Sequence, residues 1–198
     1  MNRIKTLALV VLAVFAMSFT TNKLIDGNHE INASESSVKW VGKKVTGQHT
    51  GTVAVKEGEL VIKDGKLEGG SFVIDMTSIT STDLEGEYLQ KLNGHLKSDD
   101  FFGVANYPEA KFTITKVKAK GTNGRFEVTG KMTIKTTTKP LTFDAQLVNN
   151  GENLVAVADI VIDRSEFDIR YGSGSFFDDL GDKTIYDDFT LTVNLVAK

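Results

Sequence analysis

The sequence predicts an all-β domain: about eight antiparallel strands, closed as an up-and-down barrel or folded as a sandwich, with one main α-helix. Three observations carry this. Stretches that alternate apolar and polar residues recur at short spacing from Val38 almost to the C-terminus, the mark of antiparallel sheet with one wet face. Turn signals separate them, at Asp64-Gly65, Asn123-Gly124 and Asn149-Asn150-Gly151. After the N-terminal residues, only the stretch 85–102 repeats its apolar residues at helical spacing.

The first twenty residues stand apart from this pattern. Arg3 and Lys5 precede an uncharged apolar run from Leu7 to Phe19, followed by polar Thr20-Thr21-Asn22, with small Ala16 and Ser18 near the junction. That order describes a secretory signal peptide over 1–20 and leaves 21–198 as a single domain. The apolar run is shorter than the roughly 20 residues of a membrane span. The chain has no cysteine, which excludes disulfides, a catalytic thiol and a lipid-modified N-terminal cysteine. Without Arg3 and Lys5 the formal charge goes from −3 to −5. A mildly acidic protein suits neither nucleic acid nor anionic lipid surfaces, both of which are bound through clustered Lys and Arg.

The 198 residues are 40% hydrophobic and 25% charged, enough for one domain with a sizeable core and without a linker or repeat. Twelve Phe against one Trp and four Tyr make the aromatic surface mostly phenylalanine, which fills space without a hydrogen-bond partner.

Along the chain, Val38 and Trp40 share a face, and a Gly-rich turn over Gly47 to Gly51 leads to Val53 and Val55. Leu60 and Ile62 run into the Asp64-Gly65 hairpin, and Phe72, Ile74 and Met76 form the next inward row. The helix follows. Tyr88, Leu89, Leu92 and Leu96 share one face, Thr82 and Glu85 have capping-box spacing with Asp83 as a rival cap, and Gly94 suggests close backbone packing. Phe101-Phe102 then form an apolar pair too large to leave in water. Phe112 and Ile114 begin the second set of strands. Phe126, Val128, Met132 and Ile134 flank Gly130, read as a bulge or bend of the kind barrel closure requires. Pro140 starts a strand carrying Leu141, Phe143, Ala145 and Leu147, and Leu154 to Ile162 follow the Asn149-Asn150-Gly151 turn. Gly172 to Asp188 is a polar excursion before a last strand through Phe189, Leu191, Val193 and Leu195.

Five ordered motifs carry a resemblance: Gly94-His-Leu-Lys-Ser-Asp-Asp-Phe-Phe102, Tyr107-Pro-Glu-Ala-Lys-Phe112, Val128-Thr-Gly-Lys-Met-Thr-Ile134, Thr138-Lys-Pro-Leu141 and Ile162-Asp-Arg-Ser-Glu-Phe167. Together they resemble the YceI-like family, exported bacterial lipocalin-like proteins that bind polyisoprenoid lipids, over nearly the whole mature chain. The resemblance implies an eight-stranded antiparallel lipocalin-like barrel around an elongated cavity for a prenyl tail, capped by the helix. Two departures bear on head-group contacts more than on the fold. The family usually carries Arg-Asp where this chain has Leu92-Asn93, and Gly where it has Asp168.

An eight-stranded barrel has room for one ligand if its inward positions are apolar. The expected ligand-facing set is Trp40, Phe72, Ile74, Leu89, Leu92, Leu96, Phe101, Phe102, Phe112, Ile114, Phe126, Met132, Phe143 and Phe167, with His95 and Arg164 as polar members. The alternative is that these side chains meet and fill a solid core. His95 stands four residues before Asp99, placing a contact across one helix turn. No nucleophile accompanies the pair, so a head-group anchor or a structural partner fits better than a general base. Arg164 either pairs with a neighbouring carboxylate or meets a phosphate or quinone oxygen. His29, His49 and His95 have no metal-ligand spacing, the aspartates at 178, 179, 182, 187 and 188 do not follow an EF-hand order, and Gly172-Ser-Gly-Ser175 reads as a flexible loop more than an anion nest.

The expected function is therefore non-catalytic: sequestration or carriage of a long-chain isoprenoid lipid, polyisoprenoid or quinone, in a periplasmic or secreted barrel. It needs no cofactor or metal, and a homodimer is compatible with it. Two other readings stay open, an exported enzyme using His95 on an apolar substrate and an envelope stress or interaction domain with a filled core.

Overall fold

A computed structural model describes residues 24–121 and 124–198. The expected leader, and Asn123 of one expected turn, lie outside these residues. The chain runs β1 (Gly27–Glu30), β2 (Ser37–Lys44), β3 (Gly47–Lys63), β4 (Lys66–Ser81), α1 (Gly86–Lys97), β5 (Glu109–Ala119), β6 (Arg125–Ile134), β7 (Thr137–Asn149), β8 (Leu154–Asp163) and β9 (Ile185–Ala197). Every ladder is antiparallel. β2 through β9 close a ring, because β3 and β4 pair and the order then runs β3-β2-β9-β8-β7-β6-β5-β4. The barrel predicted from the alternation is present, and the sandwich is excluded by that closure. β1 is an addition. It pairs with β3 over Glu59 to Ile62, beyond the stretch from Gly47 to Val53 that β2 occupies.

Period-two patterning gives each strand its wet and dry face. In β6, Phe126, Val128, Gly130, Met132 and Ile134 are buried while the intervening residues are not. The Asp64-Gly65 hairpin forms with both residues at positive φ, 51° and 69°, as a two-residue turn of the primed type demands. Between β7 and β8, Asn150 Oδ1 accepts hydrogen bonds from the backbone of Glu152 and Asn153.

Several local expectations are corrected. The turn before β3 is Val45-Thr46, and Gly47 to Gly51 already belongs to the strand. Gly51 is needed there for packing: a Cβ would stand 2.3 Å from Trp40 Cζ2 and 2.0 Å from Thr80 O. The bulge foreseen at Gly130 sits on the partner strand, where the β5 register shifts between Ile114 and Lys116. Gly130 itself makes room for the Phe112 ring. Pro140 is the fourth residue of β7, not its first, on the half of that strand that β8 leaves unpaired. The last strand begins at Ile185, four residues earlier than expected.

The helix forms where predicted but is capped differently. Glu85 is its N-cap and makes no side-chain capping bond. Asp83 is drawn away instead, accepting from Thr50 N (3.1 Å), Ser81 Oγ (2.6 Å) and His49 Nδ1 (2.9 Å). α1 is held to β4 through Asn93, whose Oδ1 accepts from Ser81 N at 2.9 Å and whose Nδ2 donates to Thr80 Oγ1 at 2.8 Å. Leu92 and Leu96 pack toward the core, Tyr88 points to solvent, and Gly94 has open space where a Cβ would stand. The barrel end near β1 is filled by Ile31, Leu60, Ile62, Leu147, Leu154 and Ala197, tied together by the Ile31–Ala197 bridge.

Candidate functional site

Inward positions from every barrel strand surround a cavity of about 200 Å³. Its wall is carbon almost throughout. Of the residues expected to face a ligand, Trp40, Phe72, Ile74, Leu96, Phe101, Phe102, Phe112, Ile114, Met132, Phe143 and Arg164 line it. They come from both halves of the chain and surround open space where a solid core would leave none. Trp40 is fixed by its Nε1–H, which donates to Thr52 O at 3.3 Å. Phe112 and Phe143 contact each other at 5.3 Å between centroids.

Five expected residues lie elsewhere. Leu89 and Leu92 do not line the bore, although Leu92 packs against the core, and Leu96 one turn later reaches it. Phe126 has the right strand face but is buried near the turn end of β6, beyond the cavity. Phe167 is buried in a 3-10 turn, Arg164–Phe167, that packs against β7 where its pairing with β8 has stopped. His95 stacks edge-on against Tyr171 at 4.3 Å and Phe101 at 5.0 Å, joining the helix to the loop after the 3-10 turn. Its nearest carboxylate is Asp100 at 4.0 Å, not Asp99, which accepts from Asn106 at 3.5 Å.

Among the described residues, Arg164 is the only charged one in the wall. Its donors are already committed. Nε donates to Tyr186 O (3.2 Å), Nη1 to Ile169 O (2.8 Å) and Tyr171 O (2.9 Å), and Nη2 to Ile185 O (3.0 Å). Asp187 Oδ1 lies 3.3 Å from Nη2, and the guanidinium stands over the Phe101 ring at 5.6 Å. Burial pushes the Arg164 pKa down, against the opposing pull of Asp187 and Asp163. With four of its five N–H groups donated to backbone carbonyls and Asp187 beside Nη2, Arg164 is a clamp on the loop and not a receptor for a phosphate. Asp163 does not pair with it directly by hydrogen bond but caps the 3-10 turn, accepting from Ser165 N and Oγ. Asp168, where the resembled family carries glycine, adopts that left-handed geometry with φ 59° and pairs with Arg170.

The loop does not form an anion nest. Ser173 is fully buried and its Oγ accepts from Ser175 N, while Ser175 Oγ donates to Asp187 Oδ2 at 2.6 Å. Among the described residues no group of three or more His, Asp or Glu converges as a metal site would require.

Sequence reasoning left out part of the wall. Leu191, Val193 and Leu195 of β9, and Ala156 and Ala158 of β8, line the bore and had shown their alternation. Gly42, Ile185 and Tyr186 also line it, through a local break in the β2–β9 ladder that no sequence pattern announces.

The model of the YceI-like domain family matches residues 29–197. Among curated proteins, the chain is 36% identical over 124 residues to a UPF0312 protein of Vibrio parahaemolyticus, covering 59% of this chain and 60% of that one. It is 36% identical over 76 residues to protein YceI of Escherichia coli O157:H7, covering 38% of each. These matches therefore span less than two thirds of the relatives' length. Among solved structures, Burkholderia cenocepacia BcnA superposes with TM-score 0.69 at 22% identity, over 85% of this chain and 99% of that one. A polyisoprenoid binding domain from Saccharophagus degradans, implicated in plant cell wall breakdown, superposes with TM-score 0.66 at 14% identity, over 86% and 97%. At such identities the structures speak for the fold.

Proposed function

This chain belongs to the YceI-like domain family, and from that premise we propose that it is an exported, non-catalytic carrier of a long-chain isoprenoid lipid. The observation that carries the reading is the enclosed bore, walled by carbon from all eight barrel strands. An apolar tail moved from water into such a wall gains up to about 0.8 kcal/mol per CH₂, less the ordering of the tail. The polyisoprenoid-binding domain that shares the fold supports the ligand class. Export to the periplasm or medium rests on the basic and apolar order of residues 1–20.

Catalysis by His95 finds no support in the geometry. The imidazole is packed edge-on against Tyr171 and the wall residue Phe101 and is not itself among the wall residues, which supports a structural role over that of a general base. Extraction of the purified mature protein with organic solvent, followed by mass spectrometry, tests the reading. A stoichiometric long-chain isoprenoid is expected, and loss of it when the bore is filled by substitution. Protein purified from its native envelope without any apolar small molecule, and unable to take one up from a micellar suspension, would overturn it.

A further inference from the structure

We propose that the lipid's polar end leaves the barrel through the side wall between β2 and β9, past Tyr186, and rests in the groove outside. This inference depends on the lipid-binding reading and adds where the head is held and which head fits.

The wall is broken at this place. From Gly42 to Lys44, two steps of β2 stand opposite four steps of β9, from Phe189 to Ile185, so Tyr186, Asp187 and Asp188 bulge from the ladder. Inside, Gly42, Ile185 and Tyr186 are part of the bore. Outside, Val41, Lys43, Val161, Asp187, Asp188 and Thr190 shape a groove of about 590 Å³, and Tyr186 borders that groove too. Tyr186 thus borders both spaces. Gly42 has no atom within 4 Å of where a Cβ would stand, which leaves open space at this point of the wall.

Tyr186 is free to act as a gate without disturbing the fold. Its ring is 50% exposed, and among the described residues its hydroxyl makes no hydrogen bond. Its backbone, in contrast, is pinned, since Tyr186 O and the neighbouring Ile185 O both accept from Arg164. A rotamer change opens the wall while the strand stays in place. The helix end offers no comparable freedom, being closed by Leu96, Phe101 and Phe102 and tied to β4 through Asn93.

The groove also selects the head. It presents one ammonium, Lys43, beside Asp188 and Asp187, the latter already paired with Arg164, so the groove offers an anionic head no net positive charge. Asp187 Oδ1 is buried and accepts no hydrogen bond. Its ion pair with Arg164 Nη2 at 3.3 Å is not a hydrogen bond, so a hydroxyl donor would complete it. An uncharged head bearing a hydroxyl satisfies both conditions; a phosphate satisfies neither.

The test uses geranylgeraniol and geranylgeranyl phosphate, which share a tail, with the emission of Trp40, the single Trp and a member of the wall, as the signal. Stopped-flow mixing of Tyr186→Ala should show association and dissociation of the alcohol both accelerated about fivefold or more. Gly42→Leu should slow both, and Tyr88→Ala, on the outer helix face, should change neither. At equilibrium the alcohol should bind at least about tenfold tighter than the phosphate, or 1.4 kcal/mol, and Asp188→Lys should shrink that gap. Exchange unchanged by Tyr186→Ala, or abolished when a Thr80→Cys/Asn93→Cys disulfide pins the helix, would place the opening at the helix end and overturn the gate. Phosphate binding as tightly as alcohol would overturn the head assignment. If neither lipid alters Trp40 emission in the unsubstituted protein, the carrier reading itself falls, an outcome distinct from both.

Discussion

The ring of Phe112 rests on Gly130 of the neighbouring strand: a Cβ at Gly130 would stand 2.2 Å from Phe112 Cζ and 2.6 Å from Thr113 O. The glycine thus lets a large wall residue of the bore lie against backbone, beside the β5 bulge at Thr115. Because one of the crowded atoms is backbone, rotation of the ring cannot relieve a substitution fully. Gly130→Ala is expected to destabilise the protein by about 1–3 kcal/mol, read from urea unfolding. Combining it with Phe112→Leu should recover part of that loss, as a double-mutant cycle would show.

Arg164 carries a larger share of stability. Its guanidinium satisfies four carbonyl oxygens from residues 169 to 186 and faces the half-buried Asp187. Arg164→Met leaves those acceptors without this donor and Asp187 without its cation, and about 3–5 kcal/mol should be lost. Arg164→Lys should fare little better, since an ammonium cannot span the same set. An equilibrium urea midpoint within error of the parent for either variant would contradict the clamp.

Asp83 links stability to acid. Burial acts to raise its pKa, but hydrogen bonds from Ser81, His49 and Thr50 N–H outweigh it and hold the carboxyl at about 2, against an ordinary 3.8. Between those values the unfolded chain binds the proton and the folded one does not, so stability rises with pH there. The contribution is complete above pH 3.8 and disappears as pH falls through about 2. Asp83→Asn should lower stability at pH 6 and flatten the slope of urea midpoint against pH between about 4 and 2.

Filling the bore should separate binding from folding. Ala158, a small wall residue on β8, replaced by Phe should place a ring in space that the ligand otherwise uses. Lipid uptake should fall at least about tenfold, while the ligand-free protein gains stability, on the order of 1 kcal/mol, from added burial. Calorimetric Tm and the extraction assay together check both halves, and unchanged uptake would show that the tail does not pass Ala158.

Strand faces were readable from the residues because a period of two is a local property. Trp40, Phe72, Phe112, Met132 and Phe143 reach the bore from positions chosen by alternation alone. The same rule could not say how far along the axis the bore extends, so Phe126, on the correct face of β6, ends outside it. Nor could helical spacing distinguish Leu92 from Leu96, because their contact with the bore depends on how α1 lies over β4. Phe167 shows a third limit: it is expected to face the ligand, but pairing between β7 and β8 stops at Ala145 and Ala158, and the 3-10 turn that holds Phe167 fills the gap.

From the residues alone follow the all-β class, the antiparallel hairpins, the lone helix and the greasy inner face, since each depends on neighbours a few positions apart. Only the folded chain decided the rest. Whether inward side chains meet or leave a bore depends on closure through β3 and β4, residues that pair around the whole circumference. The roles of the charged side chains were decided the same way. Arg164 and Asp83 are named by sequence as an ion and a cap, yet one clamps carbonyls and the other gathers donors from β3 and β4. A charge takes the partners that three-dimensional packing brings to it, and linear spacing does not record them.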